Sequence, residues 1–260
     1  MCRLAAYLGS PISLQQFLCE PSHSLYEQSW APRELQYARL NADGFGIGWY
    51  DPDGEPAIYV NQMPVWSDIN LPPLTRSLHA SLWLAMVRSA TTPFRSGPAN
   101  TQPFSHDGVL FMHNGLVEQF DRSLRGRIRH FLSTDIEAGI GGNTDSEYLF
   151  ALLRQLLTSN EELSLEEAMR AGVALIDEWL EGDRALLNLL LTDGERLYAT
   201  RHALNGECPS LYFTTDDENF PEGAQLIASE RLTEGEFWQP VPEHHLLILD
   251  PSEPPELIPL

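Results

Sequence analysis

Positive charge is scarce in this sequence. Lysine and arginine total 16 against 37 aspartates and glutamates, a formal net charge of −21 over 260 residues. Nucleic acid and anionic lipid both reward basic faces, so neither is an expected partner. The same balance requires any site for an anionic ligand to bring its own arginine. Cysteine is scarce too. Cys2, Cys19 and Cys208 make neither a disulfide framework nor a metal cluster, and His244–His245 has no cysteine or carboxylate companion at ligand spacing. No metal or cofactor is therefore expected. No apolar run approaches membrane-spanning length, and the start of the chain lacks the basic-then-apolar pattern of a secretory signal. The expected setting is cytoplasmic and reducing. Also missing are an internal repeat, a long linker, a composition break and a GxxxxGK[ST] phosphate loop. One domain over residues 1–260 is the expectation.

What is present alternates between strand and helix signals. "RLAAYLG" (3–9) reads as a short buried strand, and "SLQQFLCEP" (13–21) as a short helix stopped by Pro21, with Cys19 as core filler. In "NADGFGIGWYD" (41–51), glycines at 44, 46 and 48 alternate within a strand, which lets another backbone approach closely. "SLWLAMVRSA" (81–90) is an apolar strand ending at Arg88, and "VLFMHNGLV" (109–117) is another, interrupted by His113–Asn114–Gly115. Thr144 with Glu147, and Ser164 with Glu167, have capping-box spacing ahead of two helical patterns. Strands resume at Ala185, with Asp193–Gly194 as a hairpin turn, and a proline-rich tail (PSEPPELIP) is expected to pack loosely. Strands, two central helices and further strands predict an α+β protein in which sheets and helices form separate layers.

Four separated features complement one another chemically. Cys2 either starts a buried strand or, once Met1 is cleaved, supplies a thiol and a free α-amine on one residue. An α-amine titrates at about 7.7–8.0 and an ordinary thiol at about 8.5, so proton transfer between them is nearly balanced at neutral pH. Asn114–Gly115 is either a turn or a pair of donors, side-chain amide and backbone N–H, for a developing oxyanion. Arg88 either snorkels at a strand end or grips a carboxylate through two parallel hydrogen bonds. Asp145 either complements a helix dipole or binds an ammonium group. Arg88 and Asp145 together would recognise an amino-acid head and present its γ-carbonyl to Cys2.

The motifs "MC", "NADGFGIG", "VRSAT", "HNGL" and "NTDSE", in this order, resemble the class II glutamine amidotransferases of the N-terminal-nucleophile hydrolase superfamily. The resemblance spans roughly residues 2–150, with a weaker echo in "ASERLT…WQPVP" (228–242). It implies a four-layer αββα sandwich with two packed antiparallel sheets and a mature chain starting at residue 2. It implies that Cys2 is the nucleophile and that Asn114 and Gly115 form the oxyanion hole. Arg88 then holds the glutamyl carboxylate, Asp145 its amine, and Thr91 lines the pocket. Thr92 and Asn41–Ala42 depart from the pattern of the sugar-phosphate members, and no contact is carried over to them. "QSWAPRE", "PVWSD" and "LAMVRSAT" are most similar to the ergothioneine-pathway branch, which removes glutamate from γ-glutamyl-hercynylcysteine sulfoxide. The implied substrate is a small γ-glutamyl compound. Trp66 and Asp68 are candidates for contacts with its trimethylammonium group. A branch that cleaves γ-glutamyl-cysteine units, a glutaminase subunit feeding a separate synthase, and a non-catalytic subunit are the alternatives. A homo-oligomer is left open.

Overall fold

The computed structural model describes residues 2–34, 40–89 and 97–260. Seven strands make the first sheet: β1 (Arg3–Ser13), β2 (Phe45–Tyr50), β3 (Pro56–Asn61), β4 (His79–Val87), β10 (Tyr212–Thr214), β11 (Gln225–Ala228) and β12 (Gln239–Pro240). Their order is β12-β10-β11-β1-β4-β2-β3, which puts the N-terminal strand near the middle. The second sheet contains β5 (Phe104–His106), β6 (Val109–Val117), β7 (Ala185–Thr192), β8 (Leu197–Arg201), β13 (His245–Asp250) and β14 (Glu253–Pro259). Its order is β14-β13-β8-β7-β6-β5, with the short β9 (Ala203–Leu204) also on β7. All the recorded pairings are antiparallel.

Side-chain alternation along each strand builds three apolar layers. Leu4, Ala6 and Leu8 of β1, Leu82, Leu84 and Met86 of β4, and Leu110 and Met112 of β6 meet between the sheets. Ala5, Tyr7, Trp83, Ala85 and Val87 face the other way. They pack with Leu14, Phe17 and Leu18 of α1 (Leu14–Leu18), Leu25 of α2 (Leu25–Gln28) and Leu71 of α3 (Leu71–Ser77). On the far side, Phe111, Leu187, Leu189 and Leu191 pack under α7 (Asp145–Ser159), α8 (Leu165–Trp179) and the short helices α4 (Phe120–Ser123), α5 (Arg125–Phe131) and α6 (Thr134–Ala138). This is the expected αββα sandwich. Because both faces of each sheet are covered, central strands read as near-continuous apolar runs rather than as strict alternation.

Local signals were realised unequally. Ser164 and Glu167 form the complete capping box at the head of α8. At α7 only half of it forms: Thr144 Oγ1 accepts from Glu147 N at 3.3 Å, while the Glu147 carboxylate accepts from Gly141 N and Gly142 N, each at 2.7 Å. "HNG" makes no turn, since β6 runs straight through it. The proline-rich tail is not loose; it is β14, paired to β13 from Leu246↔Ile258 to Ile248↔Glu256. Pro254 and Pro255 fall in the register shift between Ile248↔Glu256 and Asp250↔Glu253 of this edge strand, where their missing N–H groups cost no recorded ladder pair. The alternating glycines act as expected: a Cβ at Gly46 would overlap the Gln102 carbonyl oxygen.

Candidate active site

Cys2 precedes β1, and its half-buried side chain packs against the apolar layer between the sheets. Its Sγ lies 3.7 Å from the Ser89 carbonyl oxygen, an acceptor for the thiol proton. The β1–β4 ladder reaches Arg3↔Val87, so one further step sets Cys2 beside Arg88. The two strands are held together here from both flanks. Arg88 N donates to Gly44 O at 2.8 Å, and Leu4 N donates to Ser229 Oγ at 3.0 Å. Met86 of β4 faces the inter-sheet layer, so alternation directs Arg88 inward as well. Arg88 is buried, and its Nη1 has no partner among the described residues. A buried guanidinium with an unused N–H pair is suited to grip an anionic ligand.

Beneath this corner lies Glu230, whose importance the sequence did not disclose. Its Oε1 meets Arg3 Nε at 2.7 Å and Glu34 N at 2.9 Å; its Oε2 meets His23 Nε2 at 3.0 Å and Arg33 N at 2.8 Å. Burial pushes this carboxyl up. His23, Arg3 and the backbone N–H groups of Arg33 and Glu34 outweigh that effect and hold it below the ordinary glutamate range. The carboxylate thus ties the start of β1, the end of β11 and the 33–34 segment to one point. The sequence marks this stretch only through the weak echo in "ASERLT", which assigns Glu230 no role.

Across the sandwich, β6 supplies a row of backbone donors. Leu187 N donates to His202 O and Leu187 O accepts from Thr200 Oγ1, so Leu187 turns its polar groups away from β6. Its cross-strand partner Gly115 therefore turns its own N–H away from β7, toward the open side of β6. On that side His113 N donates to Gln102 Oε1 at 2.5 Å, and Val117 N donates to Asp145 Oδ2 at 2.8 Å. Gly115 N–H stands between these two filled positions. A side chain here is forbidden on the other face, where a Cβ would overlap Leu186 O and the His113 ring. His113 is itself clamped, Nε2 to Leu186 O at 2.8 Å and Nδ1 to Ser146 Oγ at 3.0 Å. Asn114, by alternation with Met112, points between the sheets toward β1. It is 0% exposed, and neither end of its amide has a partner among the described residues.

The structure therefore brings Cys2, Arg88 and Asn114 to one end of the inter-sheet layer and sets Gly115 and Asp145 side by side on the open edge of β6. Asp145 is buried at the head of α7, with Oδ1 accepting from Ser146 N at 2.8 Å. Thr91 lies outside the described residues. Asp68 is occupied structurally, since Tyr59 Oη and Asn61 Nδ2 donate to it at 2.6 and 2.9 Å. Trp66 is 39% exposed and meets the edge of Trp30, itself 41% exposed, at 5.9 Å.

His244, with Glu243 beside it in sequence, is joined in space by Cys208, and the ligand atoms of the three lie within 4.8 Å of one another. Other partners account for the convergence: His244 Nδ1 lies 3.1 Å from His202 Nδ1, and Glu243 lies 3.5 Å from Arg201 Nη2. Among the described residues no helix is long and apolar enough to cross a membrane.

Three comparisons bear on this geometry. The family described as glutamine amidotransferases class-II matches residues 19–206. The chain is 31% identical to the γ-glutamyl-hercynylcysteine sulfoxide hydrolase of Mycolicibacterium smegmatis over 247 residues, 95% of each chain. It is 28% identical to the probable glutamine amidotransferase DUG3 of Saccharomyces cerevisiae, covering 96% of this chain and 82% of that one. Among solved structures, a glutamine aminotransferase class-II domain protein from Silicibacter pomeroyi superposes with a TM-score of 0.70 at 24% identity, over the whole of both chains.

Proposed function

Because the chain belongs to the class II glutamine amidotransferases, enzymes that hydrolyse amide bonds, we propose that it is a cysteine N-terminal-nucleophile hydrolase of γ-glutamyl amides. The observation that carries this reading is the buried Asn114 amide, without a partner among the described residues, beside a Gly115 N–H directed away from β7, across the sandwich from Cys2. Removal of Met1 frees the Cys2 α-amine, which takes the thiol proton as the thiolate attacks the γ-carbonyl carbon. The carbonyl oxygen becomes an oxyanion held by Asn114 and Gly115. The amine then protonates the leaving nitrogen, the C–N bond breaks, and a γ-glutamyl thioester remains. Water, deprotonated by the same amine, hydrolyses the thioester and releases glutamate. Arg88 holds the glutamyl α-carboxylate, and Asp145 holds its ammonium. The whole chain acts as one domain, since its first strand pairs with β11 near its end.

For the leaving group we favour the hercynylcysteine sulfoxide moiety. The mycobacterial relative supports this at 31% identity over nearly the whole chain. The exposed edge-to-face pair Trp30–Trp66 suits a trimethylammonium group, because ring faces attract cations. The yeast relative favours a second reading, a glutaminase subunit. The test is glutamate release by protein whose intact mass shows Met1 removed, with glutamine and γ-glutamyl-hercynylcysteine sulfoxide offered separately. A kcat/KM preference for the sulfoxide, abolished in Cys2→Ala, is expected. Turnover retained in Cys2→Ala would overturn the mechanism. Preference for glutamine would overturn the substrate.

A further inference from the structure

Directly opposite Asn114, at Asn114↔Asn188 on β7, lies a second buried asparagine. Leu190, two residues on, faces the inter-sheet layer, so alternation sets the Asn188 side chain on the same interior face as Asn114. The two differ in one respect. Asn188 Nδ2 donates to the Ser210 carbonyl at 3.0 Å. A carbonyl accepts only from N–H, so this contact fixes which end of the Asn188 amide is oxygen. Ser210 is itself anchored: its Oγ donates to Ser229 O at 2.8 Å, and Ser229 Oγ accepts from Leu4 N on the nucleophile's strand. Asn188 Oδ1 is left buried with no donor among the described residues.

Asn114 has the complementary need. Neither end of its amide is bonded, so its own contacts do not choose between its two flipped orientations. The choice matters. One orientation offers N–H to a developing oxyanion; the other aims a carbonyl oxygen at it, which repels. We propose that Asn188 is the positioning residue that makes this choice. In the catalytic pose the Asn114 side chain turns so that the fixed Asn188 Oδ1, unbonded in the structure, accepts one N–H of Asn114 Nδ2 and leaves the second for the oxyanion. Cross-strand neighbours have Cβ atoms about 4.5–5.5 Å apart, within reach of a rotating asparagine side chain. The inference rests on Asn114 being an oxyanion donor, and it adds a residue outside the motifs that carry the family resemblance.

The test is a double-mutant cycle in the mature enzyme, read as steady-state glutamate release. Asn188→Ala should lower kcat about 10- to 100-fold, a share of the roughly 10²–10³-fold expected for losing an oxyanion donor outright. KM should change little. In an Asn114→Ala background the same substitution should cost less than about threefold more, because the group it orients is gone. Glutamate γ-semialdehyde, whose adduct with Cys2 is tetrahedral, should bind Asn188→Ala more weakly in proportion to kcat, while glutamate binds unchanged. A purely structural role for Asn188 would instead weaken both ligands and act additively with Asn114→Ala. Asn188→Leu, of similar volume and suited to a layer of leucines, repeats the test if the alanine variant misfolds. Wild-type kcat in both Asn188 variants, or an undiminished effect in the Asn114→Ala background, would overturn this inference alone. Wild-type kcat in Asn114→Ala would overturn the oxyanion reading and this inference together.

Discussion

Glu230→Gln removes a charge while nearly preserving shape, and the structure gives the size of the effect. One carboxylate oxygen accepts from Glu34 N and forms an ion pair with Arg3 Nε, and the other accepts from Arg33 N and faces His23 Nε2. Glutamine can satisfy one pair. Its amide nitrogen then faces the other pair, donor against donor, and Arg3, 1% exposed, loses its counter-charge. Breaking a buried ion pair from one side costs about 3–5 kcal/mol. In a domain of this size each kcal/mol shifts Tm by about 2–4 °C, so a fall on the order of 10 °C is expected at pH 7. Denaturant unfolding followed by tryptophan fluorescence, with matched thermal scans, measures it. The pH dependence supplies a second readout with a fixed sign. The folded-state pKa lies below the unfolded value, so the contribution of Glu230 is complete above about pH 4.3 and is lost as pH falls through the folded pKa. Glu230→Gln should therefore flatten the acid limb of the stability curve. A loss below about 1 kcal/mol with an unchanged acid limb would refute the reasoning.

Gly115→Ala places a Cβ against Leu186 O and the His113 ring, so β6 must shift where its N–H is aimed. A fall in kcat of at least about 10²-fold, with about 1–3 kcal/mol of destabilisation, is expected from kinetics and thermal scans, and a normal rate would contradict the placement of that N–H. The three thiols should also react in a definite order. Burial, aided by Glu20, pushes Cys19 up to about 11, leaving about one thiolate in a thousand at pH 8, and burial raises Cys208 as well. Limited iodoacetamide treatment followed by peptide mapping should find Cys2 labelled first; earlier labelling of Cys19 or Cys208 would count against its reactivity.

What could be read from the sequence was what is locally encoded. Helices α7 and α8 declare themselves through Thr144, Ser164 and apolar spacing, and the Asp193–Gly194 hairpin through its turn residues. The interior strands were visible as apolar runs, but their neighbours were not. Nothing near Arg3 announces β11 as its flank or Glu230 as its partner, because that pairing joins segments separated by most of the chain. Asn114 and Gly115 were legible as a dipeptide, yet the tail's strand was not, because proline content argues against strands except at an edge. Asn188 sat inside an apolar run, and only cross-strand register sets it opposite Asn114. Asp68 shows the converse. A carboxylate beside a tryptophan suggests cation binding, but in space Tyr59 and Asn61 already occupy it.

The central position of β1 also orders events during synthesis. Its β4 flank is available once residue 87 has emerged, but its β11 flank consists of residues 225–228, made near the end of translation. Glu230, which pairs with Arg3 next to Cys2, arrives later still. Until then the first strand lacks one side of its sheet, and the amino terminus remains open to an aminopeptidase. Under the proposed mechanism, which needs a free Cys2 amine, removal of Met1 would have its window on the nascent chain, before β11 closes the second flank of β1.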